Sequence, residues 1–195
     1  TICAYLDGLP LAIELAAARL RVLPLTALQS ILTRQLAILT GGPADVSQRH
    51  QTLRAAIAWS YDLLAEDEQR LLRELGVFVD SFTLDAARAV CTPGDREIVE
   101  LLESIYDQAL LVRLDDDIDG QPRFRMLTSI RDFAIEALAA SGDEAALRAR
   151  HAIWFLALAE SLVPSLHGEG QHAAVVRLDR MAPNVRQAFS FLLDQ

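Results

Sequence analysis

Three aspartates in one loop have the spacing of calcium ligands. Asp115, Asp117 and Asp119 are followed by Gly120, as in the first half of an EF-hand loop. The twelfth loop position is Met126, where an EF-hand needs a bidentate glutamate. The residues on both sides of the loop alternate like β-strands instead of repeating like helices. We therefore interpret the loop as the solvated tip of a hairpin and predict no calcium site.

Two histidines in a glycine-rich connection could also suggest a metal site. His167 and His172 lie close together, but no cysteine or third histidine stands near them in the sequence. The chain also lacks the G-x-S-x-G, H-E-x-x-H and C-x-x-C patterns of hydrolases, metalloproteases and redox proteins. We predict no metal ligand and no catalytic residue.

All 18 basic residues of the chain are arginine. The absence of lysine excludes a Schiff base, a Walker A lysine and a lysine general base within this chain. The 27 acidic residues give a formal net charge of −9, whereas a nucleic-acid surface needs clustered positive charge. We predict that the chain by itself is not an enzyme.

The composition is that of a folded protein, with 52% hydrophobic and 23% charged residues among 195. No apolar run approaches the ~20 residues of a membrane span, and no secretory signal is visible. Cys3 and Cys91 stand far apart in apolar helical contexts, so we expect two buried thiols in a reducing compartment, the cytoplasm. The chain begins at Thr1 without an initiator methionine, and we interpret it as part of a longer protein.

Turn residues divide the chain into three segments. Gly8 permits a bend near the start, and Pro10 suits the first turn of a helix, where its missing N–H costs nothing. The run Thr40-Gly41-Gly42-Pro43 ends the first segment, and Ser141-Gly142 ends the second. Helical periodicity dominates the chain, so the predicted fold is mainly α with one small β-hairpin. The three predicted segments are residues 1–43, 45–140 and 142–195.

The middle segment has the element order of a winged helix. Helices are followed by two β-like runs, residues 110–114 and 123–127, and then by a further helix. The hairpin would be the wing, and helix 95–108 would be the one that enters the major groove of DNA. That helix carries five acidic residues against Arg96 alone, so phosphates would repel it. We expect protein contacts and no direct nucleic-acid binding by this segment, with a DNA-binding winged helix as the alternative.

The last segment reads as a pair of long amphipathic helices. Their apolar residues recur at helical spacing over residues 144–163 and 171–194. A helix pair after a compact domain is typical of the start of a helical repeat array, here of the TPR-like kind.

Several motifs resemble those of one protein family. Gly8-Leu9-Pro10-Leu11-Ala12 resembles the GLPLA motif of the STAND NTPases, also called NB-ARC proteins. Other stretches are similar to bacterial SARP-type and LuxR-type transcriptional regulators among them, namely Arg49–Arg54, Trp59–Leu64 and Phe124–Arg131. Arg150–Glu160 and Asn184–Ala188 resemble the linker to their TPR-like sensor region. The similarity covers nearly the whole chain, and the motifs follow one another in the family's order.

The resemblance implies an architecture and a set of partners. A P-loop nucleotide-binding domain would precede residue 1, and residues 1–43 would end its helical subdomain. Residues 45–140 would be the winged helix, and residues 142–195 would enter the TPR-like repeats. The implied partners are these two neighbours in the same protein and, on activation, further copies of it; no membrane is implied.

The resemblance also implies nucleotide contacts. Pro10 matches the proline that packs against the adenine ring, and Gly8 and Leu9 shape its turn. Met126-Leu127-Thr128 stands where the family has M-H-D; Leu127 cannot donate to a phosphate, whereas the Thr128 hydroxyl could. ADP or ATP would bind only in the full-length protein.

The function implied by the resemblance is a regulatory switch that couples the ADP or ATP state to opening and signal sensing in a transcriptional regulator. Two alternatives stand beside it. One is a DNA-binding winged helix, and the other is a helical protein-interaction adaptor without a nucleotide role.

Overall fold

A computed structural model describes residues 9–21, 23–28, 30, 46–92, 94, 96–118, 120–168 and 170–193. Within these ranges the helices are α1 (Pro10–Arg19), α2 (Val46–Asp62), α3 (Glu66–Leu75), α4 (Leu84–Val90), α5 (Ile98–Asp107), α6 (Thr128–Ser141), α7 (Glu144–Leu162) and α8 (Gln171–Leu193). The strands are β1 (Ser81–Thr83), β2 (Val112–Ile118) and β3 (Gln121–Arg125). The predicted fold class, mainly helical with a small antiparallel sheet, is confirmed. None of the described helices is long and apolar enough to cross a membrane.

Helix α1 begins where the sequence predicts. Pro10 occupies its first position behind an extended Leu9, whose carbonyl accepts from Ile13 N at 3.0 Å. The proline therefore loses no hydrogen bond at this end of the helix. Helix α1 packs on α2, and two apolar residues of α1, Ala12 and Leu15, are completely buried.

The elements from α3 to α6 form the winged helix. The strand order is β1-β3-β2, with antiparallel pairing that places Phe82 opposite Phe124 and Phe124 opposite Arg113. The third strand, β1, is an addition to the predicted hairpin, because a three-residue strand is too short to show alternation. Both wing strands are also shifted towards the hairpin turn, since the predicted runs were 110–114 and 123–127.

Local signals fix the ends of several elements. Thr83 caps α4, because its Oγ1 accepts from Ala86 N at 3.2 Å. Gly142 ends α6 in the left-handed region with φ of 84°, which glycine adopts without a steric penalty. Gly76 lets α3 approach α6 closely, since a Cβ there would lie 3.0 Å from the Ala134 Cβ.

Helices α7 and α8 pack against each other and against the winged helix. Their observed bounds agree with the predicted helices 144–163 and 171–194 to within one residue. Phe155 of α7 is 1% exposed and meets Phe78 edge to face, which joins the core of the helix pair to that of the winged helix. The predicted segment boundary at residue 43 lies outside the described residues.

Candidate functional site

Helix α5 is the third helix of the winged helix and presents an acidic outer face. Its inner face is apolar and at most 3% exposed, and consists of Ile98, Leu101, Leu102 and Ile105. Glu100, Glu103 and Asp107 are exposed on the other side. The helix is therefore anchored by its apolar stripe, and its solvent face carries negative charge.

A buried carboxylate fixes α5 against α3. Glu68 is 7% exposed, and it accepts hydrogen bonds from the Ser104 hydroxyl at 2.7 Å and from Arg96 Nη1 at 3.1 Å. Its other oxygen accepts from Ala65 N at 3.0 Å. These hydrogen bonds offset the cost of removing the Glu68 carboxylate from water. They also fix the position of α5, because one of the donors is Ser104 of that helix.

The wing strands carry three arginines. Arg113 on β2 is exposed and Arg125 on β3 is half-buried, while Arg123 is buried and donates to Ser81 Oγ at 2.7 Å. The loop aspartates of the calcium hypothesis are described only in part, since the side chains of residues 116–119 lie outside the described set. Among the described residues, no cluster of His, Cys, Asp and Glu could hold a metal ion.

The segment that follows α1 comes close to the C-terminal end of α5. Arg21 Nη1 is 3.3 Å from Asp107 Oδ2, and both side chains are well exposed. Arg19 Nη2 donates to the Ser60 carbonyl at 2.7 Å, and its guanidinium lies 6.0 Å from the centroid of Trp59. Burial lowers the pKa of Arg19 from its usual value. An open cavity of about 590 Å³ remains between the two helices.

The residues predicted to contact a nucleotide are placed as follows. Gly8 lies outside the described residues, Leu9 is half-buried, and Pro10 is exposed at the first position of α1. Thr128 is exposed at the first position of α6, and Met126 before it is buried in the core. Helix α2 contacts both α1, which carries Pro10, and α6, which carries Thr128. The two helices therefore share a neighbour, but Pro10 and Thr128 are not shown in contact with each other.

The cysteine prediction is tested at one position. Cys91 is a buried free thiol, and burial raises its pKa well above the usual value, as expected for an unreactive cysteine. Cys3 lies outside the described residues.

A polar junction between α8 and the winged helix was not predicted. Asn184 is 1% exposed; its Oδ1 accepts from Val79 N at 2.7 Å, and its Nδ2 donates to the carbonyls of Val79 and Ser81 at 2.9 Å each. His151 Nε2 of α7 donates to the same Oδ1 at 3.2 Å, because the amide oxygen can only accept. Together these bonds hold residues 77–81, a segment that we call the 77–81 turn.

Neighbouring side chains complete this junction. Gln187 Nε2 donates to the Val77 carbonyl at 2.8 Å, and Arg131 Nε donates to the Phe78 carbonyl at 2.6 Å. Asp80 in the same turn has φ of 68°, a conformation that costs a residue with a side chain about 1–2 kcal/mol. The sequence offered one signal for this junction. Asn184 is the only asparagine in the chain and directly follows Pro183 within a helix, where neither residue type is favoured.

Comparison with known proteins agrees with this geometry. A family model described as a winged helix-turn-helix domain matches residues 64–139. The chain is 41% identical over 193 residues to proteins of Mycobacterium bovis and Mycobacterium tuberculosis that bear the name "Putative HTH-type transcriptional regulator". These matches cover 97% of the chain and 21% of each relative. An uncharacterized protein of M. tuberculosis is 37% identical over 154 residues, which are 77% of the chain and 39% of that relative.

These findings correct one expectation. A winged helix-turn-helix domain with regulators among its relatives points to DNA binding, so the prediction of no direct nucleic-acid contact by this segment is wrong. The prediction rested on the charge of a single helix, whereas phosphates are also contacted by side chains and backbone of other elements. Residues 64–139 form a winged helix-turn-helix domain, and the chain, which spans about a fifth of the length of its named relatives, is homologous to mycobacterial proteins named putative HTH-type transcriptional regulators.

Proposed function

We propose that the chain is part of a bacterial transcriptional regulator and that its winged helix-turn-helix domain contacts DNA. The observation that carries the proposal is the element order helix, strand, helix, helix and wing, with α5 in the place of the helix that enters the major groove. The family match over the same residues supports it.

The charges assign different roles to α5 and to the wing. Phosphate contacts need positive charge, which the strands supply through Arg113 on one face of the wing and Arg125 on the other. The carboxylates of Glu100 and Glu103 on α5 are suited to base edges instead, because they can accept from the amino group of cytosine. We propose that the wing holds the phosphates while α5 faces the bases.

Charge reversal tests this arrangement. The double variant R113E/R125E should bind a fluorescent mixed-sequence duplex about tenfold or more weakly than the unaltered chain in an anisotropy titration at low salt. The matched control R186E alters an exposed arginine on α8, outside the winged helix, and should have a much smaller effect. Equal losses in the two proteins would show that only net charge matters, and no binding by the unaltered chain would refute the proposal.

A second candidate function is a nucleotide-dependent switch of the STAND type in the full-length regulator. The observation that favours it is the exposed ring of Pro10 at the start of α1, a helix that is followed directly by Arg21, the ion-pair partner of Asp107 on α5. A nucleotide held against Pro10 would thereby be linked to the DNA-facing helix. The chain itself is not proposed to hydrolyse ATP, since it has no lysine for a Walker A motif.

The ADP retained by the purified full-length protein tests this second function. P10A should lower the bound ADP per protein, whereas P164A, at an exposed proline between α7 and α8, should not. Unchanged ADP content in P10A would remove the nucleotide role of this turn. Calorimetric titration of the present chain with ADP should show no binding.

A further inference from the structure

One arginine stands at the start of the acidic helix α5. Arg96 lies two residues before Ile98, where α5 begins, and its side chain is 41% exposed. It is the only basic residue among residues 95–108, which include five acidic ones. In a helix-turn-helix domain, the N-terminal residues of this helix are the ones that contact base edges. Arg96 is therefore the one cation of this segment at the end from which DNA would be read.

Two carboxylates of α3 hold Arg96 by one of its terminal nitrogens. Arg96 Nη1 donates to Glu68 Oε1 at 3.1 Å and lies 3.5 Å from Asp67 Oδ2. Glu68 is itself buried and also accepts from Ser104 of α5, so the anchor is fixed in the core of the domain. The guanidinium group therefore has a defined position before a ligand binds, which lowers the entropic cost of binding.

The opposite edge of the guanidinium group is available for a ligand. Nε and Nη2 lie on the side of the planar group that points away from Nη1, and neither is hydrogen-bonded within the described part of the chain. Their N–H groups are parallel and form a fork that bonds two neighbouring acceptors at once. A matching partner must therefore present two acceptors side by side.

The chemistry of base edges selects one base for this fork. In the major groove guanine presents two acceptors, N7 and O6, whereas adenine combines an acceptor with a donor, thymine has one acceptor and cytosine has a donor. Glu100 follows Arg96 by about one helical turn and is exposed. Its carboxylate would repel a phosphate group but can accept from the amino group of cytosine. The combination of Arg96 and Glu100 thus favours G·C base pairs over the DNA backbone.

We propose that Arg96 determines the sequence specificity of the domain by recognising guanine. Arg96 Nε and Nη2 donate to N7 and O6 of one guanine, while Nη1 remains bonded to Glu68 and close to Asp67. This contact deepens the proposed DNA-binding function and rests on it. It also gives α5 a favourable interaction with DNA in spite of its acidic outer face.

Selection from a pool of random-sequence duplexes, followed by single-atom replacement, tests the proposal. The duplex that the unaltered chain binds best is prepared again with 7-deazaguanine in place of each guanine in turn. This replacement removes the N7 acceptor and leaves base pairing intact. At one position it should weaken binding about fivefold or more in an anisotropy titration, because one of the two bonds from Arg96 is lost.

Two variants locate the contact at Arg96. R96M removes every donor, and R96K keeps a positive charge beside Glu68 but lacks the fork. Both should bind the guanine and 7-deazaguanine duplexes with affinities within about twofold of each other. R88M is the matched control, since it alters an arginine of α4 that is also exposed and paired with a carboxylate, that of Asp85, and it should keep the full preference. Circular dichroism of each variant checks that the helical content is unchanged.

The outcomes separate this proposal from that of DNA binding. If the unaltered chain binds no duplex at all, the DNA-binding proposal fails and this one fails with it. If the chain binds DNA but tolerates 7-deazaguanine at every position, or if the preference survives in both R96M and R96K, Arg96 does not recognise guanine although DNA binding stands. An equal loss of affinity for all duplexes in R96M, without such a loss in R88M, would assign Arg96 to a phosphate and would also overturn the proposal.

Discussion

The winged helix meets its neighbours at two junctions that differ in how completely their polar groups are bonded. At the junction with α8, Asn184 and His151 hold the 77–81 turn through a set of buried hydrogen bonds. At the junction with α1, an exposed Arg21–Asp107 pair lies beside an open cavity, and the buried Arg19 Nε has no partner among the described residues. The first junction is closed and specific, and the second is open.

This difference suggests how the parts move. A fully bonded buried network has few alternative arrangements, so the winged helix and the α7–α8 pair should move as one unit. A junction made of an exposed ion pair and an unfilled cavity is held weakly. We infer that a rearrangement between α1 and α5 would leave the 77–81 turn intact.

The largest effect is expected from breaking the closed junction. N184A leaves the backbone groups of Val79 and the Ser81 carbonyl buried without their partners, which should lower the free energy of unfolding by about 3 kcal/mol or more. Urea denaturation measures this loss of unfolding free energy. D179A, at an exposed position of the same helix, should stay within about 0.5 kcal/mol of the unaltered protein. Similar values for both variants would mean that the α8 junction contributes little.

Acid should loosen the same junction through His151. Burial lowers the pKa of His151 from 6.5 to about 4, although the Asn184 hydrogen bond partly opposes this. Between these values the unfolded chain binds more protons than the folded one, so stability is lost as the pH falls from 6.5 towards 4.

Urea denaturation at pH 7 and pH 5 measures the contribution of His151. The loss of unfolding free energy over this interval should be about 2 kcal/mol smaller in H151Q than in the unaltered protein. Equal losses would show that His151 titrates normally and that the junction admits water.

A change at the open junction should have a smaller effect than the changes at the closed junction, and the effect should be on DNA affinity. On a mixed-sequence duplex, where Glu100 has no fixed cytosine partner, E100Q removes one negative charge from the outer face of α5 and should strengthen binding about two- to fivefold. E160Q makes the same change at an exposed position of α7 and should have little effect. If E100Q binds no more tightly than E160Q, α5 does not face the DNA.

The smallest effect is expected from the ion pair of the open junction. The side chains of Arg21 and Asp107 are 66% and 64% exposed, so R21A should lower the free energy of unfolding by less than about 0.5 kcal/mol. Urea denaturation alongside N184A gives the direct contrast between the junctions. A loss above about 1.5 kcal/mol for R21A would mean that the α1 junction is also closed.

Local signals in the sequence predicted most elements but neither junction. Pro10 begins its helix as predicted, and Thr83 caps the start of α4; each acts on backbone groups within four residues of itself. Asn184 acts on residues more than a hundred positions earlier, and no periodicity reports such a contact. The cavity likewise depends on how α1 lies against α5, which the amphipathic pattern of either helix leaves open.

The same limit explains the error about nucleic acid. The acidic face of α5 was visible in the sequence, and the structure confirms that Glu100, Glu103 and Asp107 are exposed. The charge count omitted the rest of the domain, in which β2 and β3 carry Arg113 and Arg125. Charge on one helix does not determine the partner of a surface built from several elements.

Hydrogen–deuterium exchange with and without a mixed-sequence DNA duplex tests the central claim most directly, because it reports which backbone segments the DNA covers. We predict slower exchange in α5 and in the wing strands when DNA is bound, and unchanged exchange in α7 and α8. Bound DNA that leaves α5 and the wing unprotected, or that protects only α7 and α8, would contradict the account.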